Sequence, residues 1–202
     1  MRLDFDQKEI GIVPLNLLDN FLNKIDDHDW YEDDYRKSAD GMKNTNSIPL
    51  LHSSLCFLDP SINAINTIEK RKLYSKYEEV LLPIVEILRK YYFFHFYSVF
   101  IAKLNPRSII NPHKDKGSFL RTCHRVHVPL KTNKDVEYII EQNSFYWQKG
   151  FIYEFDNTRV HGVKNNSDQE RIHLVFNLYN LTEKDLQDIK KIEENNPNFF
   201  YN

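Results

Sequence analysis

The feature that most constrains this chain is a series of short aromatic and β-branched runs after residue 92, each closed by turn residues. The runs are 93–104 (FFHFYSVFIAKL), 123–130 (CHRVHVPL), 136–141 (VEYIIE), 144–147 (SFYW), 151–155 (FIYEF) and 171–179 (RIHLVFNLY). Between them stand Asn105-Pro106, Thr132-Asn133, Gln142-Asn143, Lys149-Gly150, Asp156-Asn157 and Asn165-Asn166. Such runs fit a pleated, half-buried surface, and the residues between them break it. Many short strands punctuated in this way predict an antiparallel sandwich or barrel, of which the jelly roll is one form. The 14 Phe and 12 Tyr of the chain supply large rings for its core.

The earlier half reads as helical. Residues 14–25 carry Leu18, Phe21, Leu22 and Ile25 at helical spacing, with Pro14 tolerated at the start. Residues 26–46 read as a long polar loop with Trp30, Tyr31 and Tyr35 among acids, either a lid over a small ligand or plain surface. A strand is predicted within 48–58, and helix again over 62–92, with a kink or fresh start at Pro83. A last helix is predicted over 182–194, capped by Thr182, with Leu186, Ile189 and Ile192 as its apolar stripe. At 202 residues this makes one domain: a helical part over 1–92, a β-barrel core over 93–180 and the final helix.

Composition narrows the function. The net charge is -2 and charges of both signs are interspersed, which argues against a nucleic-acid partner. No stretch of about eighteen apolar residues occurs, so no membrane-spanning helix is predicted. The charged start, MRLDFDQKEIG, does not read as a signal peptide, and the expectation is a cytoplasmic protein. Cys56 and Cys123 lack the CxxC spacing of a zinc or redox site. The oligomeric state is left open.

Among eight histidines only His113 has an acid two positions later, in Asn111-Pro112-His113-Lys114-Asp115. In an extended segment residues i and i+2 point the same way, so His113 and Asp115 can face one point. Imidazole plus carboxylate makes two ligands of a facial triad for Fe(II), which needs one more histidine and leaves positions open. His-x-Asp alone is unspecific. The best third ligand is His161, in Arg159-Val160-His161-Gly162-Val163. Arg171 opens the next strand, which the turn Asn165-Asn166-Ser167-Asp168 is expected to fold back beside that of His161. A buried guanidinium is costly unless it meets an anion, and its planar fork grips a carboxylate in two hydrogen bonds. Arg125 and His127 share one strand face, and Val126 and Val128 the other. With the valines packed against a second layer, Arg125 and His127 enter the barrel; with the strand reversed, they face solvent.

These residues, in order and spacing, resemble the aspartyl/asparaginyl β-hydroxylase family, which includes bacterial free-proline hydroxylases. The likeness runs from His113 to Tyr179 through Arg125-Val126-His127-Val128-Pro129-Leu130, Trp147, Gly150, Phe155-Asp156-Asn157, His161-Gly162-Val163-Lys164-Asn165 and Arg171-Ile172-His173-Leu174. The resemblance implies a mainly β fold with flanking helices and a double-stranded β-helix core. It also implies Fe(II), 2-oxoglutarate and O2. By the same resemblance His113, Asp115 and His161 bind the metal, Arg171 binds the far carboxylate of 2-oxoglutarate, and Arg125 and His127 contact that co-substrate.

Asp115 leans towards the free-amino-acid branch, because the vertebrate protein-modifying member lacks this carboxylate. It also argues against a halogenase, which keeps a small residue there. The resulting expectation is hydroxylation of a free amino acid or short peptide, with release of succinate and CO2. The alternatives are hydroxylation of a protein substrate and a non-catalytic cupin-type metal- or ligand-binding module. The first ninety residues resemble the family only faintly, so the substrate itself is not read.

Overall fold

The computed structural model describes residues 4–32, 44–52 and 68–196. Strands form where the turn-punctuated runs fall: β4 (Phe96–Leu104), β6 (His124–Lys131), β7 (Val136–Ile140), β8 (Asn143–Phe145), β9 (Phe151–Phe155) and β11 (Arg171–Tyr179). The strand expected within 48–58 is β2 (Thr45–His52), and its predicted second half lies outside the described residues. The strand expected to carry His161 is β10 (His161–Asn165), while three further strands escaped the sequence reading: β1 (Gln7–Ile12), β3 (Glu69–Lys70) and β5 (Ser108–His113). Among the described residues the strands form two antiparallel sheets. One has seven strands in the order β1-β9-β6-β11-β4-β2-β3, and the other four in the order β5-β10-β7-β8. The part over 1–92 is therefore not wholly helical, since it supplies three strands to the large sheet.

Helices α1 (Leu15–Asn23) and α2 (Tyr74–Leu88) cover the outer face of the large sheet. Their Leu18, Phe21, Leu81, Ile84, Val85 and Leu88 bury against Val99, Ile101, Val126, Val128, Leu174 and Phe176. α2 runs through Pro83 without the fresh start that was one of the two expectations there. Pro83 and Glu79 are both exposed, so water can take the Glu79 carbonyl that loses its amide partner. The helix α4 (Glu183–Asn195) follows α3 (Ser118–Arg121) and carries the expected Thr182 cap, with Asp185 completing a capping box.

The segment read as a long loop begins with a 3-10 helix, Asp27–Tyr31. Its Trp30 is 3% exposed, and Asp29 accepts hydrogen bonds from Lys76 and Tyr77 of α2. Trp30 is a core residue, not part of a lid, while Tyr35 lies outside the described residues.

A second core fills the space between the sheets, with Leu104, Ile110, Val136, Tyr138, Ile140, Trp147, Tyr153, Phe155 and Val163. β11 is buried along its whole length because helices cover one face and the small sheet the other. Strand alternation sends Ile172, Leu174, Phe176 and Leu178 outward to the helices. Arg171, His173, Val175 and Asn177 then face inward. Three of those four are polar, which a purely structural strand would not place there.

Candidate active site

The small sheet brings the two histidines of the site together. β10 pairs with β5 so that His161 stands opposite His113, while Val163 stands opposite Ile110. Two steps along β10 thus answer three along β5, a bulge at Asn111-Pro112. The strands approach closely there, because a Cβ on Gly162 would stand 2.9 Å from the Ile110 carbonyl oxygen and 3.2 Å from the Pro112 nitrogen. The ring centroids of His113 and His161 are 4.3 Å apart. Each Nδ1 bonds a backbone carbonyl two residues earlier, Asn111 at 2.8 Å and Arg159 at 2.9 Å. A carbonyl only accepts, so each Nδ1 carries the ring hydrogen and each Nε2 keeps its lone pair.

Asp115 lies just beyond β5, and the loop rather than a strand aims it. Its Oδ1 is 3.7 Å from Nε2 of His113 and 4.0 Å from Nε2 of His161. Its Oδ2 is held from behind by Arg125 at 3.2 Å and by the Asn157 amide at 3.1 Å. Asn157 also accepts from the Asp115 backbone N–H and donates to the Leu120 carbonyl, tying the loop down. Burial would raise the Asp115 pKa, but Arg125, His161, His113 and the Asn157 hydrogen bond outweigh it and hold the carboxyl below its ordinary value. For His161 burial is the largest effect, and it keeps the imidazole below its ordinary range despite Asp115. One carboxylate oxygen and two imidazole nitrogens therefore converge, all within 4.8 Å of one another.

They open into a cavity between the sheets. Arg171, Arg125 and His127 all line it, together with Tyr138 and Trp147. The valines of β6 pack outward against the helices, and this decides the orientation of Arg125 and His127. Arg171 is 3% exposed, with its Cζ 5.6 Å over the Tyr138 ring. Its Nε has no hydrogen-bond partner, and among the described residues no carboxylate pairs with it. The indole N–H of Trp147 is likewise buried without an acceptor. A buried cation and a buried donor at one end of a cavity suit an anion.

Arg171 does not reach the cavity as the sequence suggested. β10 and β11 belong to different sheets, so the intervening turn carries the chain across the barrel instead of folding it into a hairpin. Asn165 and Ser167 hold that turn through the Gln169 carbonyl. Several site residues were missed altogether. Asn157 read as turn punctuation, and no local signal marks its grip on Asp115. Tyr138 and Trp147 fell in predicted strands with no role assigned, although Trp147 belongs to the family likeness. His173 could have been found, because it shares a strand face with Arg171 among otherwise apolar neighbours.

Solved structures share this architecture. A viral collagen prolyl hydroxylase from Paramecium bursaria Chlorella virus-1 matches with a TM-score of 0.53 at 12% identity, covering 89% of this chain and 98% of that one. A prolyl-4-hydroxylase from Pseudomonas putida gives 0.51 at 12% identity, covering 89% and 95%. An oxidoreductase of the 2OG-Fe(II) oxygenase family from Burkholderia pseudomallei gives 0.51 at 13% identity, covering 82% and 89%. No curated protein matches the sequence.

Two antiparallel sheets closing over a His/Asp/His cluster make a jelly-roll core with a candidate metal site. The profile of the aspartyl/asparaginyl β-hydroxylase family matches residues 75–180, just over half of the chain. The chain belongs to that family, and it is an oxygenase rather than a non-catalytic cupin module. No helix among the described residues is long and apolar enough to cross a membrane.

Proposed function

We propose that this chain hydroxylates a C–H bond of a small substrate, a free amino acid or short peptide. In this reading His113, Asp115 and His161 hold iron(II), and Arg171, Arg125 and His127 hold 2-oxoglutarate. The observation that carries it is the placement of Arg171, a buried guanidinium with no carboxylate partner among the described residues, in the same cavity as the His/Asp/His cluster.

The residues fit the group they would hold. One carboxylate and two Nε2 lone pairs suit a facial triad, and both rings are already fixed in the ligating tautomer. When bound, iron(II) with O2 and 2-oxoglutarate supplies the oxidising power that converts C–H to C–OH as the co-substrate becomes succinate and CO2. The chain itself positions and excludes. Arg125 and Asn157 orient Asp115 so that one oxygen faces the histidines. Arg171 grips the far carboxylate in two hydrogen bonds, with the Tyr138 ring shielding it from water. Phe100, Ala102 and Val175 give the cavity an apolar wall.

Asp115 supports the small substrate, since by resemblance it belongs with the free-amino-acid branch of the family. The test is incubation with iron(II), 2-oxoglutarate and each amino acid, with mass detection of a product heavier by one oxygen. If free amino acids and short peptides gain nothing while a folded protein does, the substrate is a polypeptide and this reading is wrong.

A further inference from the structure

We propose that Tyr138 and His173 form a buried relay that sets which ring nitrogen of His127 carries its hydrogen, so that His127 presents an N–H to the co-substrate. The inference rests on the reading of His127 as a co-substrate contact. It assigns work to His173, which is not among the cavity's lining residues, and a further role to Tyr138, which is.

The relay crosses from the small sheet to the large one. The Tyr138 hydroxyl, on β7, is 2.8 Å from Nε2 of His173 on β11. Nδ1 of His173 is in turn 3.3 Å from Nδ1 of His127 on β6. The rings cannot turn over to exchange these contacts. Tyr138 stacks on Trp147 at 3.9 Å between centroids, and His127 is wedged edge-on against Trp147 at 5.2 Å and Phe155 at 5.4 Å. His173 is wholly buried.

For a His127 with one ring hydrogen, two arrangements remain. Burial, then Arg171 and His127, hold the His173 pKa well below its ordinary value, so the ring is neutral and has one hydrogen for two nitrogens. Tyr138 keeps its proton, because burial pushes its pKa up to about 12 against the pull of Arg171. In one arrangement Tyr138 donates to Nε2 of His173, and His173 donates from Nδ1 to Nδ1 of His127. His127 then carries its hydrogen on Nε2. In the other arrangement every bond is reversed, and the Tyr138 hydrogen must turn away from His173.

Arg171 selects the first arrangement. Its charge lies 5.6 Å over the Tyr138 ring and attracts the hydroxyl lone pairs while repelling the hydroxyl hydrogen. The hydrogen therefore turns to His173, and the cation reaches His127 as a fixed tautomer. A ring so fixed is a ready donor to a carboxylate and needs no reorganisation when the anion enters.

The test reads ring nitrogens directly. Long-range ¹H–¹⁵N correlation on the ¹⁵N-labelled, metal-free protein at neutral pH should show His127 with hydrogen on Nε2 and none on Nδ1. Tyr138→Phe removes only the hydroxyl and keeps the stack on Trp147, and His173→Gln removes the imidazole link. Each should change the His127 ring-nitrogen pattern. Each should also raise KM for 2-oxoglutarate about tenfold, the worth of one well-placed hydrogen bond to an anion, with kcat little changed. Hydrogen on Nδ1 of His127 in the parent, or an unaltered His127 pattern in both variants, overturns the relay. If the parent binds no 2-oxoglutarate, the functional reading above falls, and the ring pattern, recorded without co-substrate, still decides the relay.

Discussion

Replacing Arg171 by methionine should stabilise the metal-free protein and abolish its response to 2-oxoglutarate. The guanidinium is 3% exposed and has no carboxylate partner among the described residues. An ion moved out of water in this way costs several kcal/mol even after relaxation. The Tyr138 ring, 5.6 Å from Cζ, returns only about 1–2 kcal/mol of that. Methionine fills much of the same space without a charge, so Arg171→Met should add about 1–3 kcal/mol to the metal-free protein. For a domain of this size that raises Tm by about 2–4 °C per kcal/mol.

With a ligand the sign reverses. Mn(II), a redox-silent stand-in, plus 2-oxoglutarate at about 100 times Kd should stabilise the parent by about 2.7 kcal/mol. The variant should gain nothing from 2-oxoglutarate, because loss of the partner costs about 3 kcal/mol or more, over a hundredfold in affinity. Arg171→Lys should recover only part, since an ammonium lacks the two-pronged contact. Paired thermal melts with and without ligand decide the matter. A metal-free Arg171→Met protein that melts below the parent, or one that keeps the 2-oxoglutarate shift, refutes the argument.

Three other perturbations probe the site and its scaffold. Asp115→Asn and His161→Ala should each lose most iron affinity and activity while the far-UV spectrum is kept; equal iron binding by parent and variants would remove the triad. Gly162→Ala places a methyl 2.9 Å from the Ile110 carbonyl oxygen, so β5 and β10 must part. Mn(II) affinity should fall by about 10–100-fold, the range seen when ligand-orienting groups are lost, and an unchanged titration would refute the close-approach argument. At Asp29 burial raises the pKa, but Lys76, Tyr77 and the Asp26 amide outweigh it, so the carboxyl sits below its ordinary value of 3.8. A depressed folded-state pKa gives stability that is present above 3.8 and lost as pH falls through the lower folded value. Asp29→Asn should cost about 1–3 kcal/mol in urea melts at pH 7 and much less near pH 2, and an equal cost at both would contradict this.

Much of the site was legible because it is written locally. His113 and Asp115 are two residues apart, and Arg125 and His127 alternate with valines, so short-range periodicity proposes which groups can share a point. Arg171 stands out as a cation opening an otherwise apolar strand. What sequence periodicity could not supply was the far side of each contact. β5 failed to read as a strand because Pro112 weakens the local preference, yet its pairing with β10 makes the bulge that sets His161 beside His113. The valines of β6 could have faced either way until α1 and α2 covered the outer face of the large sheet. Asn157 meets Asp115 across 42 residues, and Tyr138 meets His173 across 35, each joined only when the two sheets close. The sequence by itself determined the strand-rich class, the candidate ligands and the lone arginine, because those depend on side-chain type and near-neighbour spacing. Only the tertiary structure decided which oxygen of Asp115 faces the histidines and which strand carries Arg171 across the barrel. Those choices depend on packing between segments distant in the chain.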